Sequence, residues 1–114
     1  MLKLVDAHLR GLGFTDIDTI DDPLAAIVMC RRKPYGLILS DWRMKPMDGL
    51  GLLKAVRADD RLAQVPFVMI TAEIERENVV KAKAAGVDGY IAKPFDRAQL
   101  RAKLQAVLPA GTIL

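Results

Sequence analysis

An α/β fold, a parallel sheet with helices on both faces, is what the order of apolar segments in this chain predicts. Two observations carry the expectation. Segments with helical spacing alternate regularly with short strand-like segments, in the order helix, strand, helix and so on to a last helix, and such alternation builds a parallel sheet. The second is "PFVMIT", residues 66–71, a continuous apolar run that suits a strand buried on both faces rather than one with a wet side. The 114 residues suffice for one domain with a modest core, and 52% hydrophobic against 27% charged residues is a globular profile.

The elements follow in order. Leu2, Val5, Leu9 and Leu12 recur at helical spacing and Gly13 ends that helix. "DIDTI", 16–20, alternates polar and apolar residues and predicts a short, weak strand. Asp22 and Pro23 open a second helix as N-cap and first helical residue, and it ends near Lys33, before Pro34. A strand follows at 37–41, a third helix from about Gly49 to Ala58, and the buried strand at 66–71. A fourth helix over 74–85 is stopped by Gly86, "GYIA" at 89–92 is the next strand, and Asp96 caps a last helix with Leu100, Leu104, Val107 and Leu108 on its apolar side.

Composition excludes several classes. No apolar run spans a bilayer, and "MLKLVDAHLRG" reads as an amphipathic helix rather than a signal peptide. Cys30, the single cysteine, forms no intrachain disulfide and fits a reducing, cytoplasmic setting. The net charge of +3 is spread over solvated helix faces (Arg31, Arg32, Lys33; Lys81, Lys83; Arg97, Arg101, Lys103), with no element that reads nucleic acid. Cys30 and the methionines Met29, Met44, Met47 and Met69 read as packing residues, and His8 as a surface helix residue.

In an open parallel sheet the ligand site lies beyond the carboxyl ends of the strands. The residues there are Asp41, Thr71-Ala72 and Lys93-Pro94. Singly each has a plain reading: a turn cap, a polar strand end, a surface lysine. Together they supply a carboxylate to attack phosphorus, a donor for one phosphoryl oxygen and a cation for another, the inventory for accepting a phosphoryl group.

The blocks "SDWRMKPMDGLGLLKAVRAD", "VMITAEIERENVV" and "AAGVDGYIAKPF", in this order and spacing, resemble the receiver domains of two-component response regulators, the CheY-like family, and the chemotaxis-type members above all. The resemblance covers essentially the whole chain. It implies a flavodoxin-like doubly wound sheet and a phosphoryl-accepting signalling switch rather than an enzyme. Asp41 would be the phosphoacceptor, Thr71 would bind a phosphoryl oxygen, and Lys93 would pair with the carboxylate and the phosphoryl group. Tyr90 would change rotamer together with Thr71. Arg43, Ala72, Glu73 and Pro94 would rim the site, with the Lys93–Pro94 bond cis. Mg2+ would be held by Asp41 and the backbone carbonyl of Arg43. The implied partners are a histidine kinase or phosphotransfer protein upstream and a protein docking on the face of the fourth helix, last strand and last helix downstream, with no nucleic acid and no membrane. No output domain is expected after Leu108.

Two features depart from the family pattern. In "MKPMDG" the proline that usually follows the first methionine is displaced by one place, with Lys45 there and Pro46 next, which predicts a local loop change. The larger departure is that the chain begins inside the family's first helix, so the first strand and its acidic pair, the usual Mg2+ carboxylates, are missing. Asp21-Asp22 is no replacement, because Asp22 is placed as a helix cap. Mg2+ favours six oxygens, so binding is expected to be weak. With the absent strand central in the family's sheet, about four strands and five helices remain, and a homodimer by strand exchange or edge pairing is expected, with "GTIL", 111–114, a possible donor strand; the alternative is that 37–41 becomes an edge and 16–20 leaves the sheet. The competing function is a degenerate receiver, a phosphorylation-independent interaction module. A phosphatase of the haloacid dehalogenase type would need an acid two residues after the nucleophile, where Arg43 stands.

Overall fold

The strand Phe67–Thr71 is buried along its whole length, and the rest of the molecule is built around it. A computed structural model describes residues 2–72 and 76–108. In chain order it contains α1 (Leu2–Gly11), α2 (Pro23–Arg32), β1 (Ile38–Asp41), α3 (Gly49–Ala58), β2 (Phe67–Thr71), α4 (Arg76–Ala84), β3 (Gly89–Ala92) and α5 (Arg97–Val107). The strands form one parallel sheet in the order β1-β2-β3, with Asp41 opposite Ile70 and Thr71 opposite Ala92.

Alternate residues of β2 serve different layers, because successive side chains of a strand leave opposite faces. Val68 and Ile70, with Ile91 of β3, pack against Leu9 of α1 and Leu100 and Leu104 of α5. Phe67 and Met69 pack against Leu52, Leu53 and Val56 of α3 and against Leu62. Each such side chain, when fully buried, stabilises the fold by about 1.5–3 kcal/mol before chain entropy is counted. Helices therefore cover both faces, as the uninterrupted run 66–71 predicts.

Local chemistry sets the helix ends. The Asp22 carboxylate accepts from Leu24 N at 3.0 Å with Pro23 behind it, so Asp22 is the cap its position predicts. Asp96 and Gln99 form a reciprocal capping box at α5. Gly13 and Gly86 end α1 and α4 with positive φ, a conformation that costs glycine little. At the amino ends of β2 and β3, Arg57 donates to the carbonyls of Gly86, Ala63 and Val65 and to Asp88, whose carboxylate also accepts from Phe67 N. His8 accepts from Arg97 at the junction of α1 and α5, so it helps join two helices rather than lying free on one. Cys30 packs at the edge of the second cluster, and burial pushes its thiol pKa up.

One expected element is corrected. Residues 16–20 do not form a fourth strand; the sheet has three among the described residues. A strand needs a partner for its backbone groups, and no strand lies between 16–20 and β1 among the described residues. Side chains hold the segment instead. Lys33 bridges Asp16 at 2.8 Å and Asp18 at 3.2 Å, the Tyr35 hydroxyl donates to Asp18, and Phe14 and Ile17 turn toward the first cluster. A groove of about 660 Å³ remains between this segment and β1, lined by apolar residues including Val5, Leu9, Ile17, Leu37 and Leu39. The tail 109–114, with its suggested donor strand, and residues 73–75, including the start of the predicted fourth helix, lie outside the described residues.

Candidate functional site

The parallel register determines which residues meet. With Asp41 opposite Ile70 and Thr71 opposite Ala92, the carboxyl ends of the three strands stand side by side. Asp41 is the last residue of β1, Thr71 the last of β2, and Lys93 the first residue beyond β3. The Lys93 Nζ donates to Asp41 Oδ1 at 2.9 Å across the end of β2, joining residues 52 positions apart. The Lys93 backbone N–H donates to the Thr71 carbonyl at 2.7 Å, so the backbone of one site residue anchors the next. The side chains of Asp41 and Lys93 are 28% and 29% exposed, open enough for a reactant to reach them, while Thr71 is 5% exposed.

The loop 42–48 is folded back onto the strand end. Gly49 N donates to the Trp42 carbonyl at 2.7 Å, and a Cβ on Gly49 would stand 2.3 Å from the Asp41 carbonyl oxygen and 2.7 Å from Met69 Sδ. Only a glycine lets α3 begin this close to the end of β1. Asp48 accepts from Gly51 N at 2.8 Å and so serves as the cap of α3. Ser40, buried beneath, donates to the Asp41 carbonyl at 2.9 Å. Both Lys45–Pro46 and Lys93–Pro94 are cis peptides; the second agrees with the expectation, and the first is the form taken by the displaced proline.

The remaining predicted residues fall around this centre. Tyr90 of β3 carries a buried hydroxyl, and its ring lies 6.3 Å from that of Trp42 at 59°. Trp42 is half-buried, as its place beside the acid edge suggests. Arg43, Ala72 and Pro94 are exposed at the rim, and Glu73 lies outside the described residues. Sequence reasoning missed a second feature of the mouth. Trp42, Arg43, Lys45, Thr71 and Asn78 line a concavity of about 640 Å³ between the loop 42–48 and the start of α4. The displaced proline was the only sign that Lys45 stands there, and Asn78 shows no pattern of its own.

The described residues do not fit a resident Mg2+. No group of three or more His, Cys, Asp or Glu side chains that could hold a metal ion occurs among them. Asp41 already receives Lys93, Asp48 caps α3, Asp22 caps α2 and Asp21 stands exposed. A hard cation that demands near-octahedral oxygen coordination finds one carboxylate here. What the arrangement offers chemically is a part-exposed carboxylate paired with an ammonium, with a hydroxyl-bearing strand end beside them.

The chain is similar to known proteins along most of its length. Residues 1–105 match the family model of the response regulator receiver domain. The chain is 43% identical over 107 residues to the chemotaxis protein CheY-3 of Vibrio cholerae, covering 94% of this chain and 82% of that one. To the chemotaxis protein CheY of Pseudomonas aeruginosa it is 39% identical, with 94% and 86% covered. Its structure superposes on that of the V. cholerae chemotaxis protein CheY4 with a TM-score of 0.87 at 31% identity, covering 93% and 88% of the two chains. The receiver domain of the P. aeruginosa sensor histidine kinase PA1611, solved with a magnesium ion coordinated in its active-site cleft, aligns with a TM-score of 0.82 at 31% identity over 92% and 85%.

Proposed function

The chain belongs to the response regulator receiver family and carries a two-component signalling role, and on that premise we propose that it is a phosphoryl-accepting switch with Asp41 as the acceptor. The observation that carries the reading is the Lys93–Asp41 pair, 2.9 Å apart at the carboxyl edge of the sheet beside Thr71. A histidine kinase or phosphotransfer protein supplies the phosphoryl group. The Asp41 carboxylate attacks phosphorus, Lys93 neutralises charge on the phosphoryl oxygens, and Thr71 binds one of them. Drawing Thr71 toward the phosphoryl group shifts a two-state equilibrium in which Tyr90 and its neighbour Trp42 repack. The readout is the face of α4, β3 and α5, which meets a downstream protein, and α4 leaves Val80 60% exposed. No helix among the described residues is long and apolar enough to cross a membrane, and this reading involves neither a membrane nor nucleic acid.

One observation favours a second reading. A site with a single available carboxylate among the described residues suits a degenerate receiver that binds partners without taking phosphate. The two are separated by incubating the protein with a small phosphodonor and Mg2+ and mapping the adduct by mass spectrometry. The switch predicts one adduct, at Asp41, abolished in Asp41→Asn. An adduct that survives that substitution sinks the assignment of Asp41, and a wild-type protein that never labels favours the interaction module.

A further inference from the structure

The mouth beside Asp41 holds a cation that phosphoryl acceptance, as described, does not use. The concavity of about 640 Å³ runs alongside the acceptor strand end, with Trp42 and Arg43, the residues directly after Asp41, in its wall and Thr71 shared with the site. Asp48 also lines it, but its carboxylate is turned to the cap of α3. Arg43 is already engaged within the fold. Lys45 is exposed, lines the same space and enters no ion pair among the described residues. A nucleophile at a strand end attacks phosphorus from the protein side, so the part of the donor that is not transferred must lie in the space outside it.

Resting on the phosphoryl-accepting reading, we propose that Lys45 is a donor-selecting residue whose ammonium receives the anionic leaving group of an acyl phosphate. In that transfer an Asp41 carboxylate oxygen forms a bond to phosphorus as the bond from phosphorus to the acyl oxygen breaks. The electron pair of the broken bond stays on the acyl oxygen, which leaves as a carboxylate, and no proton moves. Dianionic acyl phosphate and the Asp41 carboxylate together carry three negative charges, and so do the aspartyl phosphate and the departing carboxylate. Phosphoramidate differs at this one atom. Its nitrogen, already protonated in the monoanion, leaves as neutral ammonia and offers Lys45 no charge to receive. An interaction that grows only as the leaving group becomes anionic acts on the rate for one donor and not on the other.

The test compares the rate of Asp41 labelling by acetyl phosphate and by phosphoramidate, at one Mg2+ concentration and ionic strength, in wild type, Lys45→Met and Lys45→Arg. The expected result is a loss of about threefold to fivefold with acetyl phosphate in Lys45→Met, the scale of one solvent-exposed ion pair. Phosphoramidate rates stay within about twofold in all three proteins, and Lys45→Arg keeps its acetyl phosphate rate, as expected of charge recognition without a fixed fork. The phosphoramidate arm also reports that the variants are folded. Equal slowing with both donors would make Lys45 a general attractor of anions and overturn the proposal, and no slowing with either does the same. A wild-type protein unlabelled by both donors overturns the phosphoryl-accepting reading itself, and the inference falls with it.

Discussion

At the scale of single residues, Gly49 shows how closely the site is built against its support. The chain leaves β1 at Asp41, runs through a seven-residue loop and returns so near that the first residue of α3 stands against the Asp41 carbonyl itself. A methyl group there meets backbone, which does not swing aside as a side chain does. Gly49→Ala is therefore expected to destabilise the protein by about 1–3 kcal/mol, the range for overpacking a close-packed interior. Gly36→Ala is the control, because a Cβ at Gly36 meets nothing within 4 Å. Urea unfolding midpoints measure both. A Gly49→Ala midpoint equal to that of Gly36→Ala would mean the loop yields more easily than the geometry says.

At the scale of elements, the segment 14–20 shows what replaces a sheet ladder when no neighbouring strand is at hand. It is tied by charge and hydroxyl chemistry: the Tyr35 hydroxyl and then Lys33 hold the Asp18 carboxyl below its ordinary value of 3.8, and Asp16 and then Asp18 push the Lys33 ammonium up. Asp18 in turn holds the Tyr35 phenol above its ordinary 10.0. A depressed carboxyl contributes to stability above its unfolded value and loses that contribution as pH falls through the folded one. A raised phenol contributes below its unfolded value and loses that contribution as pH rises through the folded one. The tether should thus be intact between pH 3.8 and pH 10.0 and weaken beyond either end. Following the Asp18 side-chain signal by NMR while the pH is lowered should show titration below 3.8, moving back toward that value in Tyr35→Phe. An identical titration in the two proteins would remove the Tyr35 hydroxyl as its cause. Asp16 and Asp18 are exposed and Lys33 and Tyr35 only partly covered, so the effect belongs to the segment and not to the global melt.

At the scale of the whole molecule, the sheet is asymmetric. Among the described residues β2 is paired on both sides, β3 lies along α5, and β1 presents its second edge to the apolar groove of about 660 Å³. An unpaired edge beside apolar walls is a template for another strand. The expected outcome is a homodimer of this chain in which β1 edges pair or segments beside the groove exchange, with a melting temperature that rises with protein concentration. Light scattering on residues 1–114 measures it. A cooperatively melting monomer at micromolar concentration would rule the dimer out.

Much of this was determined by the sequence alone, and the reason is local. Apolar spacing, Asp22-Pro23, Gly86 and Asp96 act within a few residues of themselves, so five helices and the strands at 38–41, 67–71 and 89–92 follow from neighbours in the chain. The convergence of Asp41, Thr71 and Lys93 was legible too, because strand ends in a parallel sheet share an edge by geometry. Only the tertiary structure decided the rest. Whether "DIDTI" becomes a strand depends on a partner for its backbone, which no residue within it can supply, so the alternation that predicts a strand yields a tethered coil. The four-way reach of Arg57 and the place of Lys45 in the mouth depend on loops that approach from distant parts of the chain. Periodicity records which face of an element is dry. It carries no record of what long side chains meet once the elements are packed.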